Sequence, residues 1–326
     1  MKNTCKYLNL PITMFAKSLR IISLLVVCFV CFSNAQGQPK KRFKGKPIEV
    51  GLTAGASNYM GELTPFIAFN ETKPMGGIIC RFNYSDFITL RGNALFGQIA
   101  GDDKNYTDVA ERYKRNLNFK SNIIEFSGTL EWNLMGFEET QRYNPGSPFL
   151  FIGLGVFKFN PMTQFNYIPA IHTTAAYGDI AKHDGQWIEL QTLSTEGQET
   201  TQYNDRKRYS LTQVTIPLGV GYKKQFDDVW AWGVELGFRK TFTDYLDDIS
   251  TTYVSPDITG PSNTGLSAAL ADRTVELDNS NLRNDYGSTE RLGAARGNDA
   301  NRDWYLFFNF TLTRKITGGK QTCFQF

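Results

Sequence analysis

Few residues of this chain have types suited to chemistry, and their spacing limits what they could do. The two histidines are His172 and His183. A hydrolase or acyltransferase would need one of them beside a serine and a carboxylate, on elements that hold the group in place. Both fall in a long polar stretch, 160–208, without strand or helix periodicity, so no catalytic set and no enzymatic role is expected. Cys80 and Cys323 are the only cysteines after residue 35. Together with two histidines they fall short of a zinc enzyme's ligand set. They are also too far apart for a disulfide framework, so both are expected to be free. No motif for another cofactor stands out. The run Asp244-Tyr245-Leu246-Asp247-Asp248 offers three carboxylates. A calcium site is one reading, but EF-type spacing is missing, and a solvated loop base is the reading preferred here. The basic run Lys40, Lys41, Arg42, Lys44 and Lys46 is a candidate contact for an acidic partner or anionic lipid headgroups; a flexible tail is the alternative.

Composition places these residues in a β framework. The 326 residues include 25 Phe, 15 Tyr and 29 Gly, with 21% charged residues and a mean hydropathy of −0.33, which does not describe a helical membrane bundle. The net charge of +3 comes from the beginning of the chain. Residues 1–35 carry Lys2, Lys6, Lys17 and Arg20 and no acid, leaving 31 basic against 32 acidic residues beyond them. That balance argues against a nucleic-acid binder driven by basic patches. The run 21–32, IISLLVVCFVCF, is about half as long as a spanning helix. Basic residues precede it and Ser33-Asn34-Ala35 follows, the pattern of a cleaved secretory signal peptide, with an uncleaved anchor as the alternative. Cys28 and Cys31 lack the small residue that lipoprotein cleavage requires just before them.

Beyond residue 35 the periodicity is two, that of strands. Eight segments show it: Ile48–Ala56, Ile78–Tyr84, Ile88–Phe96, Leu117–Leu134, Phe149–Phe159, Val214–Tyr222, Trp230–Phe238 and Trp304–Leu312. The fifth is apolar on both faces, and Ile152, Leu154 and Val156 are assigned outward because Gly153 and Gly155 share the other face. Long connections (61–73, 101–116, 160–208, 244–302) alternate with shorter ones (85–86, 135–147, 225–229). This is the habit of an eight-stranded antiparallel transmembrane β-barrel with long extracellular loops. A soluble sandwich or lipocalin-like barrel would share the periodicity. The membrane reading rests on polar faces made largely of Gly, Ser, Thr and Asn, and on aromatics at the strand ends. Tyr84, Trp132, Tyr222 and Trp230 would form the periplasmic girdle. The expected organisation is a signal peptide 1–35, a basic periplasmic segment 36–46, the barrel 47–316 and a periplasmic tail 317–326, located in the outer membrane. Neither a peptidoglycan-binding domain nor the plug of an energised transporter is expected.

An eight-stranded barrel leaves room only for side chains. Glu49, Arg81, Arg91 and Glu131 sit on the inward parity of consecutive strands, near one level. Opposite charges in a dry lumen must pair, so a structural ionic cluster is expected there, with a narrow ion pathway as the alternative.

Several blocks resemble a known family: Glu49-Val-Gly-Leu-Thr-Ala-Gly-Ala-Ser-Asn-Tyr-Met-Gly-Glu-Leu63, Arg115-Asn-Leu-Asn-Phe-Lys-Ser-Asn122 through Glu125, Gly153-Leu-Gly-Val-Phe-Lys-Phe-Asn-Pro161, Leu193-Ser-Thr-Glu-Gly-Gln198, Ile216-Pro-Leu-Gly-Val-Gly-Tyr222, and Arg239-Lys-Thr-Phe-Thr-Asp-Tyr-Leu-Asp-Asp-Ile-Ser-Thr-Thr-Tyr253. Together they resemble the PorG-like outer-membrane β-barrels of Bacteroidota, the last block most specifically. The resemblance implies a non-enzymatic component of the type IX secretion machinery, in the outer membrane, touching a periplasmic ring built by PorK and PorN. A surface-binding barrel using the loops 160–208 and 244–302 is the alternative, since loops this long exceed what a connection needs.

Overall fold

The alternating pattern closes on itself. In the computed structural model, residues 48–106, 109–137, 146–172, 178–226, 229–255, 264–277 and 292–316 are described. Eight long strands form the wall: β1 (Ile48–Met60), β2 (Lys73–Asn83), β3 (Ile88–Asp102), β4 (Asn118–Asn133), β5 (Gly146–Lys158), β8 (Thr212–Gln225), β9 (Trp230–Thr241) and β10 (Trp304–Ile316). Two short strands, β6 (Pro161–Gln164) and β7 (Trp187–Glu189), continue the sheet beyond β4. Every neighbour in the wall is antiparallel, and the first strand pairs the last from Ile48↔Ile316 to Met60↔Trp304. Closure leaves the wall without an unpaired edge, the condition a sheet must meet to cross a bilayer.

The wall is inside out relative to a soluble protein. Leu52, Phe126 and Leu154 point outward at 69%, 59% and 67% exposure, with Ile78, Leu90, Phe96, Ile152, Val220, Phe308 and Phe310 also exposed around the circumference. A continuous apolar belt of this kind is not tolerated in water and is what lipid tails cover. Their alternate neighbours Glu49, Thr53, Arg81, Arg91, Thr129, Glu131, Glu235 and Asn309 are buried within. The fifth strand takes the register expected, with Ile152, Leu154 and Val156 outside and Phe149, Phe151 and Phe157 inside. Gly153 faces inward where a Cβ would strike the carbonyl of Gly128 and the backbone of Thr129. Cys80 is a free thiol on the outer face.

Four residues separate β2 from β3 and four separate β8 from β9, while the described parts of the long connections gather at the opposite end and fold into a cap. The cap contains α1 (Ala110–Arg115) and α2 (Thr264–Ala271). Its core is continuous with the upper lumen. Leu63, Phe165, Ile180, Leu190, Leu193, Leu246, Ile249, Leu266 and Leu270 pack onto Met75, Leu95, Ile99, Ile123, Phe157, Tyr305 and Phe307 of the wall. The sequence had suggested a lumen filled by small polar side chains. Buried Thr53, Ser57, Ser121, Thr129, Thr215, Thr241 and Thr311 fit that description along the barrel, but charged side chains fill the short-turn end, and at the other end the cap makes large apolar side chains favourable among the hydroxyls.

Candidate functional site

The lumen near the short turns is held by one charge network. Glu131 on β4 is fully buried and accepts hydrogen bonds from Arg81 Nε of β2 at 2.9 Å, Arg91 Nη1 of β3 at 2.9 Å and Lys223 Nζ of β8 at 2.8 Å. Arg91 Nη1 also donates to Glu235 on β9 at 2.6 Å. Glu49 lies 3.9 Å from Arg81 Nη1 and accepts hydrogen bonds from Asn83 and from Thr313 of β10. Asn309 of β10 donates to Glu235. Strand β5 contributes rings in place of charges: Arg91 lies over Phe151 at 4.5 Å, and Lys223 sits 5.5 Å from Phe149. All eight wall strands thus meet at this level. Higher up, Glu125 accepts from Arg239 Nε at 3.2 Å and from the Tyr305 hydroxyl at 2.9 Å.

Glu49, Arg81, Arg91 and Glu131 are therefore brought together. Lys223, Glu235, Glu125 and Arg239 join them or lie just above, and the sequence reading did not place these in the cluster. Their inward parity was visible, but pairing across the lumen depends on closure, which no single strand reports. Tyr84 and Trp132 are exposed near the short-turn end. Trp230 begins β9 and lies under Arg314, while Tyr222 packs on Trp232 with ring centroids 5.9 Å apart. Lys40, Lys41, Arg42, Lys44 and Lys46 lie outside the described residues, as does Cys323.

The cap is equally specific. Glu196, fully buried, accepts hydrogen bonds from the amides of Ser250 and Thr251 at 3.0 Å each, from the Thr251 hydroxyl at 2.7 Å and from Arg296 Nη1 at 2.9 Å. Asp248 accepts from the Tyr209 hydroxyl at 2.7 Å and from Thr195 at 2.5 Å, and its backbone carbonyl accepts from Arg296. Its φ of 66° is left-handed, a conformation a non-glycine residue keeps only when its surroundings fix it. Burial lifts the Asp248 carboxyl to about 6, against the opposing pull of Arg296. Arg115 forms a bidentate pair with Asp103, both contacts at 2.8 Å, and donates to the carbonyls of Arg296 and Glu62. Asp244, Asp247 and Asp248 are each 1% exposed, so the solvated loop base expected from sequence is corrected. Hydroxyls of Tyr59, Thr195 and Tyr209 from distant segments, with the nearby Ile249 amide, surround the last two and substitute for water.

Among the described residues, the two histidines lie in separate surroundings. His172 is buried between the rings of Phe165 and Tyr167 and its Nδ1 accepts from the Ile168 amide at 3.0 Å. His183 is in an exposed turn and contacts Gln186.

Comparison with known proteins adds little to this geometry. Residues 20–179, just under half of the chain, match a family described as a domain of unknown function, DUF6089. No curated protein matches. Among solved structures, the chain is similar to Ail, the attachment invasion locus protein of Yersinia pestis, at 7% identity and a TM-score of 0.35, over 84% of this chain and 100% of that one. It is similar to the Neisserial surface protein A at 6% identity and 0.36, over 82% and 97%. It is similar to the outer membrane protein OprG of Pseudomonas aeruginosa at 8% and 0.36, over 84% and 98%. The barrel assignment rests on the closed strand register and the apolar belt.

Proposed function

We propose that this chain is a non-enzymatic outer-membrane barrel that anchors the periplasmic ring of a type IX protein secretion machine, with the PorK and PorN ring proteins as partners. The observation that carries the anchoring half is the filled interior. A barrel whose eight strands meet in one buried charge network, under an apolar upper plug, is a rigid body fixed in lipid and not a conduit. Its working surfaces are then its two ends. The secretion half rests on the resemblance of the blocks quoted above, two of which, 193–198 and 239–253, dock on one another through Glu196 and Asp248. Crosslinking in intact cells, followed by mass spectrometry, should recover the ring proteins with this barrel. That recovery should disappear when residues 36–46 are deleted. Normal cargo export from a strain lacking the gene would end the secretion reading.

A second reading is favoured by the cap. Loops that fold around their own core present a fixed surface, which suits recognition of a surface ligand or exported cargo. Charge reversal at the exposed cap residues Asp205, Lys207 and Arg208 would abolish such binding without disturbing assembly in the membrane.

A further inference from the structure

Three carboxylates from separate segments converge where the cap meets the wall. Glu62 follows β1, Asp244 follows β9 and Asp303 precedes β10; one oxygen of each lies within 4.8 Å of the other two. Clustered acids alone would say little. Asp244, however, is 1% exposed, is aimed into this cluster, and neither of its oxygens accepts a hydrogen bond of ordinary geometry. A buried carboxylate without donors is among the costlier arrangements in a folded protein.

The neighbouring acids are only partly supplied: the Leu246 amide donates to Asp303 Oδ2 at 2.9 Å and the Asn298 amide reaches Glu62 at 3.4 Å. The Tyr59 hydroxyl stands 2.7 Å from Asp247 Oδ2 and 2.8 Å from Asp303 Oδ1. It has one proton and can donate to only one of them. A Cβ at Gly61 would collide with both the Tyr59 hydroxyl and Asp303, so glycine there permits this approach. Of the nearby cations, Arg115 is held by Asp103 and Arg302 is exposed. Glu62 and Asp303 also line a cavity of about 870 Å³, which gives the cluster a route to solvent.

We propose that Glu62, Asp244 and Asp303 bind a calcium ion that fastens the cap to the rim of the barrel. The donors are all oxygens, without the nitrogen or sulfur that zinc or copper prefers. Oxygens on opposite sides of a calcium ion stand about 4.6–5.2 Å apart, twice the usual Ca–O distance, which suits this spacing. Backbone carbonyls and water would complete the shell. Burial first, and Glu62 second, lift the Asp244 carboxyl to about 8, with Ser250 and Arg302 opposing. Binding a cation would displace protons that the cluster otherwise holds.

The test uses the chain from Gln36 onward, folded in detergent micelles and freed of divalent ions, with terbium and calcium as probes. Terbium should luminesce on excitation of tyrosine, since Tyr59 adjoins the cluster, and calcium should displace one ion per chain. Asp244→Asn and Glu62→Gln should each weaken calcium binding about 10-fold or more, while Asp179→Asn at an exposed loop position should leave it unchanged. The half-exposed Glu62 variant keeps the test valid should the Asp244 variant misfold, as judged by heat-modifiable gel mobility. Folded protein that gives no tyrosine-sensitised emission at millimolar terbium, or that binds calcium equally with Glu62→Gln, would overturn the site.

Discussion

Glu131 is the residue on which the lumen network turns. It accepts from three cations on three strands, all within 3.0 Å and all out of water. Removing its charge leaves Arg81, Arg91 and Lys223 facing one another with Glu49 and Glu235 as the remaining acids. Deleting one member of a buried ion pair costs about 3–5 kcal/mol, so Glu131→Gln should lower the urea midpoint of the lipid-embedded barrel by a corresponding amount. An unchanged midpoint would mean that water reaches the network. This cluster was legible in part. Parity along β1 to β4 puts Glu49, Arg81, Arg91 and Glu131 inside, and closure alone reveals Lys223 and Glu235. In the register of β2 and β3, Arg81 lies directly opposite Arg91, a like-charge pair explained only once Glu131 is seen to bridge it.

At the scale of elements, the wall was legible and the cap was not. Strands leave a period of two because one face meets lipid and the other does not. The cap leaves no period, because Leu193, Leu246 and Leu266 reach one core from irregular segments. The acids of the run 244–248 were misjudged for the same reason: Asp247 meets Tyr59 and Asp248 meets Tyr209, across gaps of up to 188 positions. These acids give the cap a pH dependence. Asp248 is lifted to about 6, by burial and then against Arg296, Thr195 and Tyr209, with Glu196 adding to the rise. Asp244 is lifted to about 8, by burial and then by Glu62. Both folded values exceed the unfolded value of about 3.9. Their contribution to stability is therefore complete below pH about 4 and is lost as pH rises toward about 8. Hydrogen exchange in segments 242–255 and 292–303, corrected for the chemical rate and measured without divalent ions, should show more frequent opening at pH 8.5 than at pH 5. Equal protection at both values would contradict the burial of these carboxyls. Calcium bound at the rim would flatten the difference.

For the whole molecule, the arrangement is a closed wall with an apolar exterior, a charged lower plug and an apolar upper plug continuous with the cap. Such a body should not conduct. In planar bilayers the mature chain should give no steady conductance above background, and Glu131→Gln should not open a defined pore, since rings from β5 still fill the centre. A reproducible single-channel step from the native chain would reject the sealed lumen. All further proposals about partners depend on the wall facing lipid, and Cys80 tests this most directly. It lies on the outer face of β2, between the outward-pointing Ile78 and Phe82. With Cys323 replaced by serine, a spin label on Cys80 of the chain from Gln36, refolded into lipid vesicles, should be readily relaxed by oxygen, which concentrates in lipid, and poorly by a water-soluble nickel complex. The reverse preference would place the greasy face in water and contradict the account.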